Sequence, residues 1–231
     1  MEQIGKGFRI LIACEESDEV RGRFEKLGFD AWSCDLQPNR NPNAKHYQQD
    51  IFKVINYGWD AMIAFPPCTY LTVTANKWLK DQPLRKSGKL VGEERRMAKE
   101  AAARFFISLY NAPIPKIAIE NPIGCMSSLF RKPDQIIHPY YFGDPVSKAT
   151  CLWLKELPKL TWLKKDNLFE KSTAVDPEYI TTSTGKRFDK WFMYEAAKIK
   201  DLNARSKFRS KTFPGIADAM ATQWGKFIAG I

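Results

Sequence analysis

The chain has 231 residues, 44% of them hydrophobic, and carries a formal net charge of +10. That is enough apolar material for one domain with an insertion or a small lobe, and it excludes a disordered chain. No apolar run reaches the roughly 18–20 residues needed to cross a bilayer, so no membrane partner is expected.

In chain order, residues 8–13 (FRILIA) read as a buried strand, and 17–27 as a helix with Val20, Phe24 and Leu27 on one side. Residues 31–34 and 61–65 (AMIAF) are the second and third strands. Residues 93–110 form the clearest helix, with Met97, Ala101, Phe105 and Leu109 at four-residue spacing. The next strand covers 116–119, with Glu120 at its end. Residues 151–154 (CLWL) form one more strand, and 215–229 a closing helix with Ile216, Met220, Phe227 and Ile228 apolar. Strands alternating with helices predict an α/β fold with a mainly parallel sheet. The expected domain covers 1–157 plus 212–231. Residues 158–211 are basic, aromatic and weakly periodic, and form a small lobe or insertion.

The five cysteines, Cys14, Cys34, Cys68, Cys125 and Cys151, include no CxxC pair, and there are only two histidines. No metal site is expected, and the absence of a signal-peptide pattern in MEQIGKGFRILIA predicts a reducing compartment, the cytoplasm. The basic surplus is uneven. Residues 77–104 hold nine Lys/Arg against four Asp/Glu, and 148–211 hold fifteen against eight. A polyanion, nucleic acid, is the partner this predicts. Lys77, Lys80, Arg85, Lys86 and Lys89 lie on a polar loop suited to phosphate contacts. Trp162, Phe169, Tyr179, Phe188, Trp191, Phe192 and Tyr194 read as the lobe's own core, with base stacking as the alternative. Trp78, Trp153 and Trp224 read as packing.

Two sites could carry chemistry. Pro66-Pro67-Cys68 directly follows a strand, and the prolines fix the backbone so that Cys68 points in a set direction. A turn with an incidental half-buried cysteine is the plain alternative. Glu120-Asn121-Pro122 follows another strand. A carboxylate there faces a cleft or has a partner, because burial without one is costly. Partial burial would raise its pKa, as a proton donor requires.

FPPCTYL followed by IENPIG resembles the catalytic pair of the DNA cytosine-5 methyltransferases, most of all a short phage-encoded form. The resemblance implies a Rossmann-like methyltransferase domain that uses S-adenosylmethionine, with DNA as partner. It implies Cys68 as nucleophile and Glu120 as the acid that protonates the ring, in a catalytic set with Asn121, Lys148 and Thr150. Asp35, in WSCDLQP beside Leu36, matches the acid that holds the cofactor ribose. Asp50, in QQDIF, matches the acid near the adenine, with Ile51 beside the ring. Ala13, Cys14, Glu15, Glu16 and Ser17 stand where the family has its cofactor loop, and Phe65 and Pro66 complete the cofactor set. FGDPVSKAT resembles the family's Tyr-Gly-Val-Pro-Gln-x-Arg-x-Arg stretch, and FPGIADAMA its last motif. Three features depart from the family: a glycine-free cofactor loop with four acids, Lys148 and Thr150 in place of two arginines, and a small recognition region. A free nucleotide or RNA substrate, an amino-group methyltransferase and a non-catalytic binding protein are the rival readings.

Overall fold

The structure, a computed structural model, describes residues 3–83, 88–164 and 171–231. Seven strands form one sheet: β1 (Arg9–Ala13), β2 (Asp30–Asp35), β3 (His46–Gln48), β4 (Ala61–Ala64), β5 (Lys116–Pro122), β6 (Gln135–Ile137) and β7 (Thr150–Lys155). Their order is β3-β2-β1-β4-β5-β7-β6, parallel throughout except for β7. This is a Rossmann-like α/β fold with a mainly parallel sheet, differing from the usual doubly wound order by the antiparallel β7 wedged between β5 and β6. A separate hairpin joins β8 (Tyr179–Thr181) to β9 (Arg187–Asp189).

Helices cover both faces. They are α1 (Arg21–Lys26), α2 (Gly92–Tyr110), α3 (Met126–Leu129), α4 (Ala196–Lys198), α5 (Leu202–Ser210), α6 (Pro214–Ala219) and α7 (Gly225–Ala229), the last two joined by a π-helical turn. Alternate residues of each strand face opposite ways, so the buried strands feed two cores. Ile10, Ile12, Ile63 and Ala118 meet Phe24 of α1 and Ile216, Met220, Trp224 and Ile228 of the C-terminal helices. Leu11, Met62, Ile117 and Ile119 meet Phe106 and Leu109 of α2, with Trp153 between.

Several expectations change. α1 begins at Arg21, not at 17, because Glu15 caps it from before the loop. The strand carrying Glu120 does not end there. It runs to Pro122, where antiparallel β7 pairs Pro122 with Thr150. On α2, Met97 is exposed, and the buried face is Arg95, Ala103, Phe106 and Leu109. Four-residue steps drift by about 40° each around a helix, so the row runs from exposed Met97 into the core only at Leu109. Phe227 is likewise exposed.

The 171–211 stretch has little interior: of its described residues, only Ala196 is buried. It is held instead by bonds to the main domain, such as Val175 N to Tyr140 O at 2.9 Å and Ser147 N to Asp189 Oδ2 at 2.6 Å. The described aromatics of the expected lobe, 158–211, do not make a separate core. Trp162 stacks on Tyr141 of the main domain, centroids 4.2 Å apart, while Trp191 stacks on Phe208. Tyr179, Phe188 and Tyr194 are exposed. Arg85, Lys86 and Phe169 lie outside the described residues. Among the described residues, no helix is long and apolar enough to cross a membrane.

Candidate active site

Register fixes the geometry of the edge. Ala13 pairs with Cys34 and with Ala64, and Ala64 pairs with Ile119. The next residue on each strand, Cys14, Asp35, Phe65 and Glu120, therefore stands at one level at the carboxyl edge. Strand order reverses between β1 and β4, and the crevice at such a switch is where open α/β sheets bind ligands.

On the β1–β2 side, Cys14 adopts a left-handed conformation with φ 59°, and its N–H donates to Cys34 O at 2.7 Å. The chain turns there without a glycine. Each of the four acids that follow is engaged. Buried Glu15 accepts from the N–H groups of Val20 at 2.7 Å and Arg21 at 3.1 Å, and from the Ser17 hydroxyl at 3.2 Å. Burial still pushes its carboxyl up to about 7, the two backbone bonds working against it. Glu16 takes both arms of Arg40, at 2.7 and 2.8 Å, and lies 3.3 Å from Lys207 Nζ. Asp18 pairs with buried Arg21, and Glu19 with Arg23 at 2.8 Å and Lys211 at 3.5 Å.

Asp35 and Asp50 are less committed. One oxygen of each accepts a backbone N–H, from Gln37 at 2.8 Å and Phe52 at 3.0 Å. Burial raises the Asp35 carboxyl above its ordinary range, opposed by the Gln37 bond. Leu36 is 70% exposed, and Ile51 is buried. Burial first, then the charges of Asp35, Cys34 and Asp50, push the Cys14 thiol well up, so these groups share one neighbourhood.

On the β4–β5 side, Pro66 is buried and Pro67 exposed. The Cys68 carbonyl accepts from Leu71 N at 2.9 Å and Thr72 N at 3.2 Å, which turns the chain just after the thiol. Asn121, buried, donates from Nδ2 to Pro66 O at 2.9 Å and ties β5 to the Pro-Pro-Cys loop, while its Oδ1 is buried without a partner among the described residues. Gly124 lets the loop close: a Cβ there would sit 2.1 Å from Leu71 O.

Glu120 is half-buried and makes no hydrogen bond or ion pair among the described residues. It lines a small pocket with Lys148, Thr150, Ser210, Lys211, Thr212, Phe213 and Ile216. Burial raises its pKa, and the charge of Lys148 opposes the rise. The Cys68 thiol is raised by burial and then by Glu120, and lowered by Lys148 and Arg209. Lys148 Nζ donates to Arg209 O at 3.0 Å, and buried Thr150 donates to Lys148 O at 3.4 Å. The two remaining motif stretches meet here: Gly215 N donates to Asp144 Oδ2 at 2.8 Å, and a Cβ on Gly215 would lie 1.9 Å from Phe142 O.

Arg95 escaped the sequence reading. Buried on α2, it donates to Thr69 O and Leu90 O, both at 3.2 Å, and its guanidinium lies 5.1 Å from the Tyr70 centroid. It thus pins both ends of the loop after Cys68. Helical counting back from Leu109 and Phe106 puts position 95 on the buried stripe, and that signal could have found it. Among the described residues, no group of three His, Cys, Asp or Glu could hold a metal.

One solved structure matches part of the chain. It is a DNA modification methyltransferase encoded within an E. coli prophage, matched over 64% of this chain at 13% identity with a TM-score of 0.38. The match covers 46% of that protein, so this chain spans a little under half its length. A likeness of this depth says nothing about residues or substrate. No family model and no curated protein matches the chain.

Proposed function

We propose that this chain transfers a methyl group from S-adenosylmethionine to carbon 5 of cytosine in DNA. The observation that carries the reading is the pair Cys68 and Glu120: Cys68 follows β4, Glu120 lies on the neighbouring β5, and the Glu120 charge raises the Cys68 thiol. Cytosine carbon 5 is too weak a nucleophile to accept a methyl group unaided. Cys68 Sγ adds to carbon 6, and Glu120 gives a proton to ring nitrogen 3, leaving an enamine at carbon 5. Carbon 5 takes the methyl group and then loses its proton, and the thiolate departs from carbon 6. A raised pKa suits Glu120 as the donor. Its protonated form also removes one of the two influences that hold the Cys68 thiol up. Lys148 and Arg209 favour the thiolate. Asn121 positions the loop through Pro66, and Thr150 is a hydroxyl at the pocket wall.

The cofactor residues fit an adenosyl group. Asp35 and Asp50 each keep an oxygen for a hydroxyl or an amino group, Leu36 offers exposed apolar surface, and Phe65 and Pro66 lie between the two halves. S-adenosylmethionine supplies the methyl group from a sulfonium. Glu15 is spent on α1, so the amino-acid end of the cofactor falls to Ala13, Cys14, Glu16 and Ser17. A base inside a duplex would have to flip out to reach Cys68. The test is incubation with labelled S-adenosylmethionine and DNA, RNA or dCMP, followed by nucleoside mass spectrometry. Label appearing only on an amino group, or on nothing, would overturn the reading. A second reading, a binding protein that kept the fold, is favoured by the full engagement of the Cys14–Glu19 acids. Calorimetric titration with S-adenosylmethionine separates the two.

A further inference from the structure

We propose that the strap formed by the end of α5 and the residues to Phe213 is a contact for nucleic-acid phosphates, and that in the free protein two ion pairs hold it closed over Glu120. The proposal rests on the reading of this edge as a base-modifying site.

Three observations carry it. The first is size. The pocket at Glu120 has about 10 Å³ of space, enough for one water at most. A pyrimidine base is several times larger and does not fit this pocket as it stands. Four of the eight lining residues, Ser210, Lys211, Thr212 and Phe213, belong to the strap, and moving it opens the pocket.

The second is how the strap is held. Lys207 reaches Glu16 at 3.3 Å and Lys211 reaches Glu19 at 3.5 Å, both from half-exposed positions. Each acid has another cation, Arg40 for Glu16 and Arg23 for Glu19. Lifting the strap therefore strands neither carboxylate. Pairs whose cation stands half in water are weakened by salt.

The third is charge. Lys148 and Arg209 lower the Cys68 thiol, Lys211 lines the Glu120 pocket with Lys148, and Lys207 lies one turn back on α5 at Glu16. Among the described residues, Lys148 and Arg209 pair with no carboxylate; Lys148 bonds to Arg209 O, and Arg209 lies over the Phe192 ring at 5.1 Å. Four cations, two without a carboxylate among the described residues and two lent to acids that have other partners, fit a chain of phosphates better than one anion. The phosphates take Lys207 and Lys211 from Glu16 and Glu19, and the same exchange frees the strap.

The test uses the full chain, a fluorescein-labelled single-stranded oligonucleotide read by anisotropy, and alkylation of Cys68 by iodoacetamide read by peptide mass spectrometry. Neither readout needs methyl transfer. Lys207→Gln with Lys211→Gln should weaken oligonucleotide binding and flatten the log-log salt slope by about 1.4, two contacts at about 0.7 each. The same variant should speed Cys68 alkylation severalfold without DNA. Weaker binding with a more open thiol is a combination that a merely unfolded or merely uncharged surface does not give, provided circular dichroism matches the parent. Glu16→Gln with Glu19→Gln should tighten binding at low salt and also speed alkylation. Parent affinity and slope in the lysine variant, or parent alkylation rates in both variants, would overturn the proposal. A parent that binds DNA as described but methylates no substrate would sink the functional reading and leave the strap standing.

Discussion

The two loops that meet at the sheet's edge use charge in opposite ways. Between Cys14 and Glu19 four carboxylates crowd together, yet each is bound: Glu15 to helix N–H groups, Glu16 to Arg40, Asp18 to Arg21 and Glu19 to Arg23. Beside Cys68 there is one carboxylate, Glu120, and it has no bond or ion pair among the described residues. The first loop is built to hold a shape without glycine. The second keeps a group unspent at the sheet's carboxyl edge. The density of acids is therefore a poor guide to reactivity, and what each acid is already bonded to is a better one.

Removing the unspent pair should have the largest effects. Cys68→Ser should bring methylation to background, with circular dichroism and cofactor binding unchanged. In the parent, a 5-fluorocytosine oligonucleotide should trap a covalent adduct on the Cys68 peptide. Normal turnover in the serine variant would end the mechanism. Glu120→Gln should lower kcat by roughly 10²–10⁴-fold, the range for a general acid. Glu120 donates in its protonated form and its pKa is raised, so parent kcat should fall as the pH climbs past that value. The glutamine variant should lose this limb of the profile. A parent limb that persists in Glu120→Gln would assign it to another group.

How much of this was legible follows from burial. FRILIA, AMIAF, KIAIE and CLWL are buried on both sheet faces and read as near-continuous apolar runs. The short strands β3 and β6 sit at the sheet's two edges, carry polar residues such as His46, Gln48 and Gln135, and gave no pattern. Ser17 looked like a helix start, but the capping oxygen belongs to Glu15, and only the fold shows that. Cys68 and Glu120 could be found because Pro66-Pro67 and the apolar run IAI before Glu120 mark them locally. The strap could not, because Lys207 and Lys211 meet Glu16 and Glu19 from the far end of the chain. Nor could the shallow interior of 171–211, whose aromatics suggested a core.

The structural loop can be tested through its stability. Glu15 titrates near 4.5 in an unfolded chain and near 7 in the fold, where burial penalises its charge. Between those values the folded state binds the proton more tightly. Its stabilising contribution is therefore complete below about pH 4.5 and is lost as the pH rises through 7. The difference is about 3 kcal/mol at about 1.4 kcal/mol per unit. Glu15→Gln cannot ionise and keeps one acceptor oxygen for α1. Urea unfolding at pH 5 and pH 8 should show the parent losing more stability than the variant over that interval. Equal losses would mean that Glu15 stays charged in the fold and that its bonds to Val20 and Arg21 outweigh burial.

The smallest effect belongs to the acids that stand between the two extremes. Asp35 gives one oxygen to Gln37 N, which leaves the other for a ligand. If that oxygen accepts a ribose hydroxyl, its loss leaves a polar group of the cofactor unpaired, worth roughly 1–3 kcal/mol. Asp35→Ala should then weaken S-adenosylmethionine about ten- to a hundredfold in calorimetry, since each 1.4 kcal/mol is tenfold. The melting temperature should scarcely move, because the Gln37 N–H it abandons is open to water. Glu15→Gln should show the reverse, a change in stability with cofactor affinity close to the parent. The two variants together decide whether bonding state separates binding acids from structural ones. Unchanged affinity in Asp35→Ala would put Asp35 among the structural acids and remove the β2 end from the cofactor site.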